Sequence, residues 1–170
     1  MNKQNTTERF LEQNEIIVSK TDTKGIITYA NQVFCEIADY SLGEVLGKPH
    51  NILRNPDMPA CIFKLFWETI KSGNELFAYV VNSGKNGVYY WVFAHVTPSF
   101  NEAGTITGFH SNRRKPSESA LKAIKELYAN LLRAENACST RQDGIETGYK
   151  MLMNLLKEKE MTYEEFVLSL

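Results

Sequence analysis

The chain has 170 residues, 43% hydrophobic and 11% aromatic, enough to bury one core of ordinary domain size and too apolar for global disorder. Its 19 basic and 20 acidic residues leave a formal net charge of −1, so bulk charge gives no reason to expect a nucleic-acid or polyanion partner. The three cysteines, Cys35, Cys61 and Cys138, are odd in number and widely spaced, which argues against a disulfide framework or a structural zinc site and fits a reducing, cytoplasmic compartment.

Met1 to Thr7 is polar, so no secretory signal is expected, and no stretch reaches the ~20 apolar residues of a membrane span. Thr7 to Asn14 reads as a short helix or arm. Ile16 to Asp22 is β-branched, Thr23-Lys24-Gly25 turns, and Ile26 to Ala30 returns, which is a hairpin signal. Asn31 stands where a helix N-cap belongs, ahead of Val33, Phe34, Ile37 and Ala38 at helical spacing. Ser41 to Gly47 reads as a second, shorter helical turn with its own Ser cap. The next twelve residues, Lys48 to Pro59, carry three prolines, two asparagines, His50, Arg54 and Asp57. A plain turn needs far less, so this loop is expected to be held in one shape and to present polar groups.

Met58 to Ser72 has the strongest helical pattern of the first half, with Ile62, Phe63, Leu65, Phe66, Trp67 and Ile70 on one broad face and Gly73 closing it. The period then changes to two. Leu76–Asn82, Val88–Pro98 and Thr105–Asn112 read as strands, joined by turns at Ser83–Gly87 and Glu102–Gly104. Arg113-Arg114-Lys115-Pro116 ends this region. Beyond it, Ala120, Ile124, Leu127 and Leu131 mark an amphipathic helix, Asn136 to Gly144 a polar break, and Tyr149 to Leu156 another helix. Thr162-Tyr163-Glu164-Glu165 offers a capping box for a third. The expected architecture is α+β: a five-stranded antiparallel sheet with short helices on one face, then a helical tail. The boundaries fall at 1–15 for an arm, 16–115 for the main domain and 116–170 for the tail, whose apolar stripes must find a partner or fold back.

The strand end Ile27-Thr28-Tyr29-Ala30-Asn31, the loop residues Pro49-His50-Asn51, Arg54 and Pro56-Asp57-Met58-Pro59, then Trp67, Asn82, Lys85-Asn86-Gly87 and Tyr90-Trp91-Val92, stand in an order that resembles a PAS domain. More narrowly they resemble the flavin-binding PAS domain of aerotaxis (Aer-type) receptors, over about Val18 to Lys115. With no membrane anchor or HAMP region expected in these residues, the pattern is similar to the soluble, CetB-like subunits of bipartite energy-taxis receptors. The resemblance implies FAD as cofactor, the redox state of the flavin as signal, and a membrane chemoreceptor with a HAMP and signalling region as partner. A PAS paralogue or a second copy of the chain is a further partner of the same kind. It implies no nucleic acid and no direct membrane insertion; membrane association comes through the partner.

The resemblance also nominates residues. Arg54 suits phosphate oxygens of the cofactor, or else pairs locally with Asp57 across the Asn55-Pro56 turn. Asn55 stands where the family has a His, and its amide can still donate and accept. Trp67 is either core or an aromatic wall of the flavin cavity. Leu76 replaces a second family Trp, with Phe77 and Tyr79 the expected substitutes. Asn82 interrupts an apolar strand, either as a turn entry or as a partner for a flavin ring edge that changes from acceptor to donor on reduction. Asn31 is a cap that could also face the cavity, and His50 either steadies the loop or serves as a haem ligand. His95 and His110 have no metal-ligand spacing, so no metal site is expected. No Gly-x-Ser-x-Gly, Walker loop or His-Glu-x-x-His occurs, and Asn51-Ile52-Leu53-Arg54 lacks the Cys of a light-driven adduct, so neither an enzyme nor a photoadduct is expected. Two other readings stay open: a cofactor-free interaction module, and a PAS sensor of haem or another small ligand.

Overall fold

The computed structural model describes residues 6–170; most of the polar N-terminal run, with its expectation of no secretory signal, lies outside the described residues. Six strands form one sheet: β1 (Thr7–Glu8), β2 (Ile17–Asp22), β3 (Ile27–Ala30), β4 (Leu76–Ser83), β5 (Val88–Phe100) and β6 (Ile106–Arg114). Their order is β1-β5-β6-β2-β3, with β4 along the other side of β5. β2 to β6 pair antiparallel, as expected. β1 departs from the helix or arm expected there: it lies parallel to the start of β5, Thr7 opposite Val88. Leu11, 2% exposed, is the one deep anchor of this segment, and a single anchored residue gives a helix no face to bury.

Opposite Val80 in register is Val92, and opposite Asn82 is Tyr90. Period two therefore turns the even-numbered residues of β4 and β5 toward one face and the odd-numbered ones toward the other. The inner face is covered by α1 (Gln32–Ala38), α2 (Leu42–Val45), a 3-10 turn (His50–Leu53) and α3 (Ala60–Lys71). Asn31 caps α1 by accepting from Phe34 N–H, and Glu44 closes a capping box on Ser41 at α2.

The tail folds back on the domain as α4 (Glu118–Asn136), α5 (Arg141–Glu158) and α6 (Tyr163–Leu168). Ile124, Tyr128, Leu131, Leu152, Leu156, Phe166 and Val167 are buried, so most of the apolar stripes are covered within the chain, with Met151 and Leu168 left exposed. Among the described residues β4 has only β5 as strand neighbour; its other edge bridges to Arg54 at Asn82 and is met by the tail at Tyr79, whose C=O accepts from Tyr128 O–H at 2.6 Å. That cover is a usual way to protect an edge strand. The polar break expected over Asn136–Gly144 ends sooner, because Thr140 caps α5 and Gly144 lies inside it. A Cβ on Gly144 would sit 2.5 Å from Glu135 C=O, so the glycine serves close helix–helix approach and does not break the helix. Among the described residues no helix is long and apolar enough to cross a membrane.

Candidate functional site

Between the inner sheet face and α3 lies a cavity with a free volume of about 120 Å³. One wall is aromatic. Trp67 meets Phe66 and Phe109 edge-on, each with ring centres 5.8 Å apart. Behind the indole, Gly25 holds φ +80°, and a Cβ there would come within 3.1 Å of Trp67 Cη2. Only glycine fits that turn and that contact together.

Beside these rings, the lining is polar and rich in donors. Arg113, on β6, is 6% exposed; its Nη2 donates to Ser19 Oγ at 3.1 Å and to His50 Nε2 at 2.8 Å. Its Nη1 has no partner among the described residues, and neither do Asn82 Nδ2 or Ser111 Oγ. All three residues line the cavity. Burial pulls the Arg113 pKa down to about 10, so it stays charged at neutral pH. His50 is half-buried against Arg113 and Phe34; burial first, and the Arg113 charge second, hold its pKa down to about 3. His50 is therefore neutral and offers Nε2 as an acceptor to Arg113. This lining presents one positive charge and three idle donors, an arrangement that suits a ligand edge made of acceptors.

Four of the predicted residues meet at this cavity: His50, Arg54, Trp67 and Asn82. Arg54 stands at the mouth with its guanidinium carbon 3.6 Å above the Phe63 ring. Desolvation and the nearby Arg141 lower its pKa, and Glu135 opposes them. The alternative for Arg54, a local ion pair with Asp57, is not formed among the described residues.

Three predicted residues lie outside the cavity, each because its bonds are already taken or it faces away. Asn31 accepts from Val18 and Phe34 N–H and donates to Ile16 C=O. Asn55 is buried, donates to Ser83 Oγ at 3.0 Å and accepts from Asp57 N–H at 2.8 Å, so it locks the Pro-rich loop. Asp57 is exposed on the outer side of that loop. Phe77 and Tyr79 do not replace the missing Trp either. Their odd register sends them to the outer sheet face, where Phe77 stacks on His95 at 4.2 Å. Phe66 and Phe109 supply the aromatic surface instead.

Ser19, Ser111 and Arg113 went unnominated. Arg113 reads in sequence as part of a basic domain end. The period-two pattern of Phe109, Ser111 and Arg113 was the available signal, since it carries all three to the inner face.

A family model described as the PAS fold matches residues 27–113. The aerotaxis receptor of Escherichia coli (strain K12) is 38% identical over 121 residues, 71% of this chain and 24% of the receptor. The nitrogen fixation regulatory protein of Klebsiella pneumoniae is 29% identical over 109 residues, 64% of this chain and 22% of that protein. The chain thus spans about a quarter of the length of these curated relatives. Among solved structures, the dark structure of the blue-light photoreceptor Aureochrome1 LOV superposes with TM-score 0.58 at 22% identity, covering 70% of this chain and 86% of that one. A light-oxygen-voltage domain studied with a flavin analogue superposes with TM-score 0.57 at 23% identity, covering 68% and 86%. The chain belongs to the PAS-fold family and is similar, within it, to the PAS region of the aerotaxis receptor.

Proposed function

We propose that this chain is a flavin-binding PAS sensor of redox or energy state, with FAD as the flavin, that passes its signal to a membrane chemoreceptor. One observation carries the reading: three buried polar groups without partners, on Asn82, Ser111 and Arg113, belong to residues that line a cavity also walled by aromatic rings. An isoalloxazine ring has that same pair of properties, flat apolar faces and an edge of oxygen and nitrogen acceptors. The similarity to the aerotaxis receptor and to a domain studied with a flavin analogue supports the same assignment.

The donor set fits a flavin; the volume fits only after movement. Ligand cavities commonly run to roughly 300–1,000 Å³, against the 120 Å³ free here. A three-ring ligand therefore requires the half-buried Phe66 and Trp67 to swing aside on α3. Arg54 at the mouth suits the phosphates of a cofactor whose ring lies deeper. A bound flavin would supply a ring nitrogen that accepts a hydrogen bond when oxidised and donates one when reduced. Asn82 can answer by turning its amide, presenting oxygen or NH2 as required. Because α3 forms a cavity wall and packs on the tail, such a change has a route to α4–α6.

The small free volume favours a second reading, a cofactor-free interaction module whose cavity is filled by its own side chains. A haem reading through His50 is weaker, since His50 Nε2 is held by Arg113. The absorption spectrum of the purified protein, before and after incubation with FAD, separates the three. Flavin bands that bleach under dithionite are expected. A colourless protein after reconstitution overturns the proposal in favour of the second reading, and a Soret band overturns it in favour of haem.

A further inference from the structure

Arg113 is the most anomalous residue of the fold. Its guanidinium is enclosed by Ser19, His50, the Phe34 ring 6.0 Å away and Tyr90, and no carboxylate reaches it among the described residues. A buried charge without a counter-charge is expensive, and such a group is normally paired or neutral. Here it stays charged, its neighbours are neutral, and Nη1 has nothing to bond. Both N–H bonds of Nη2 are taken by Ser19 and His50, which fixes the guanidinium and leaves Nη1 unbonded on a residue that lines the cavity. The missing element is an anion or an acceptor about to become one.

Building on the flavin reading, we infer that Arg113 is the charge partner of the bound flavin. Its guanidinium pairs with the oxygen and nitrogen edge of the ring on which negative charge collects, and it holds the reduced ring as an anion. Reduction by two electrons and one proton from an external donor leaves the ring with one negative charge. Arg113 keeps its own proton throughout and supplies only its fixed positive charge. His50 and Ser19 act as positioning residues that aim it. In consequence the protein binds reduced flavin more tightly than a neutral pocket would, and the potential at which it switches is set by this residue.

The test uses the full chain reconstituted with FAD, dithionite as electron source, and dye equilibration to measure the midpoint potential. Arg113→Gln should keep the fold, seen by circular dichroism, and is measured at saturating FAD, because it also gives up a donor to the oxidised ring. Its preference for reduced over oxidised FAD should fall about tenfold or more, a potential at least ~30 mV more negative for a two-electron couple. Arg113→Lys, which keeps the charge, should recover part of that shift. An Arg113→Gln protein that binds FAD at an unchanged potential overturns the inference. Should Arg113→Gln not fold, nitrogen NMR of reduced FAD in the wild-type protein decides: an anionic N1 is expected, and a protonated N1 overturns the inference. Wild-type protein that binds no FAD overturns the flavin reading itself, a result distinct from either of these.

Discussion

Trp67 faces the cavity from α3 and rests against Gly25, whose φ of +80° no other residue adopts comfortably. Gly25→Ala should lower stability by about 1–2 kcal/mol, read as a lower urea midpoint, because it adds backbone strain and presses on the indole. Trp67→Ala removes the indole and leaves Phe66, Phe109 and the donors in place, so flavin retention on gel filtration should drop sharply, and the lost packing should lower the urea midpoint at least as far as Gly25→Ala does. His50 gives a pH signature. The folded chain keeps it neutral down to about pH 3, whereas an ordinary His takes a proton near 6.5. Between those values the unfolded chain binds more protons, so stability falls as pH drops from about 6.5 toward 3 and is fully present above that window. His50→Asn can still accept from Arg113 and should flatten this limb, whose slope reaches at most ~1.4 kcal/mol per pH unit. An unchanged slope in the variant would remove His50 as its cause.

At the scale of elements, α3 matters most, because it has no side-chain cap of its own. Glu135, from the end of α4, supplies one: its carboxylate accepts from Ala60 N–H at 3.0 Å and from Cys61 N–H at 2.8 Å. A carboxylate at a helix N-terminus satisfies free amides and meets the positive end of the dipole. Lys64 adds an ion pair to Glu146 on α5 and lies over the Tyr149 ring. The cavity wall and the tail are thereby one mechanical unit. Glu135→Ala should cost about 1–2 kcal/mol and speed hydrogen exchange at Ala60 and Cys61. If those amides exchange at the wild-type rate, the cap contributes nothing and the coupling through it fails.

The sheet is covered over its inner face and, around β4 and β5, over part of its outer face, while Tyr29 on β3 stays exposed. Short helices and α3 cover the inner face, and Tyr128, with Trp91 at 6.0 Å, begins the cover of the outer face that α6 continues. A chain ending at Lys115 would re-expose Tyr79, Val81 and Trp91, at roughly 1.5–3 kcal/mol per large apolar side chain. Such a truncation should bind the dye ANS and melt at a lower temperature than the full chain. Equal melting temperatures would mark residues 1–115 as an independent unit and α4–α6 as an accessory.

The order of elements from β2 onward, the hairpins, the caps at Asn31, Ser41 and Thr162, and the aromatic face of α3 were legible in the residues, because periodicity and capping are local properties; β1, which needs β5 as a distant partner, was not. The density of the Pro-rich loop and the polar break at Asn82 also pointed to the cavity, which His50, Arg54, Trp67 and Asn82 line. Tertiary structure decided the rest. Asn55 and Asn31 carry good ligand chemistry, and only the fold reveals that their bonds are used internally. Arg113 looks like a domain-end cation until β6 pairs with β5 and β2, and that pairing turns it inward beside Ser19 and His50. Glu135 meets Ala60 across 75 residues of chain, a contact that no local pattern encodes. Sequence by itself determined which segments form and what chemistry they carry. Register and long-range docking determined which of that chemistry is spent on the fold and which is left facing the cavity.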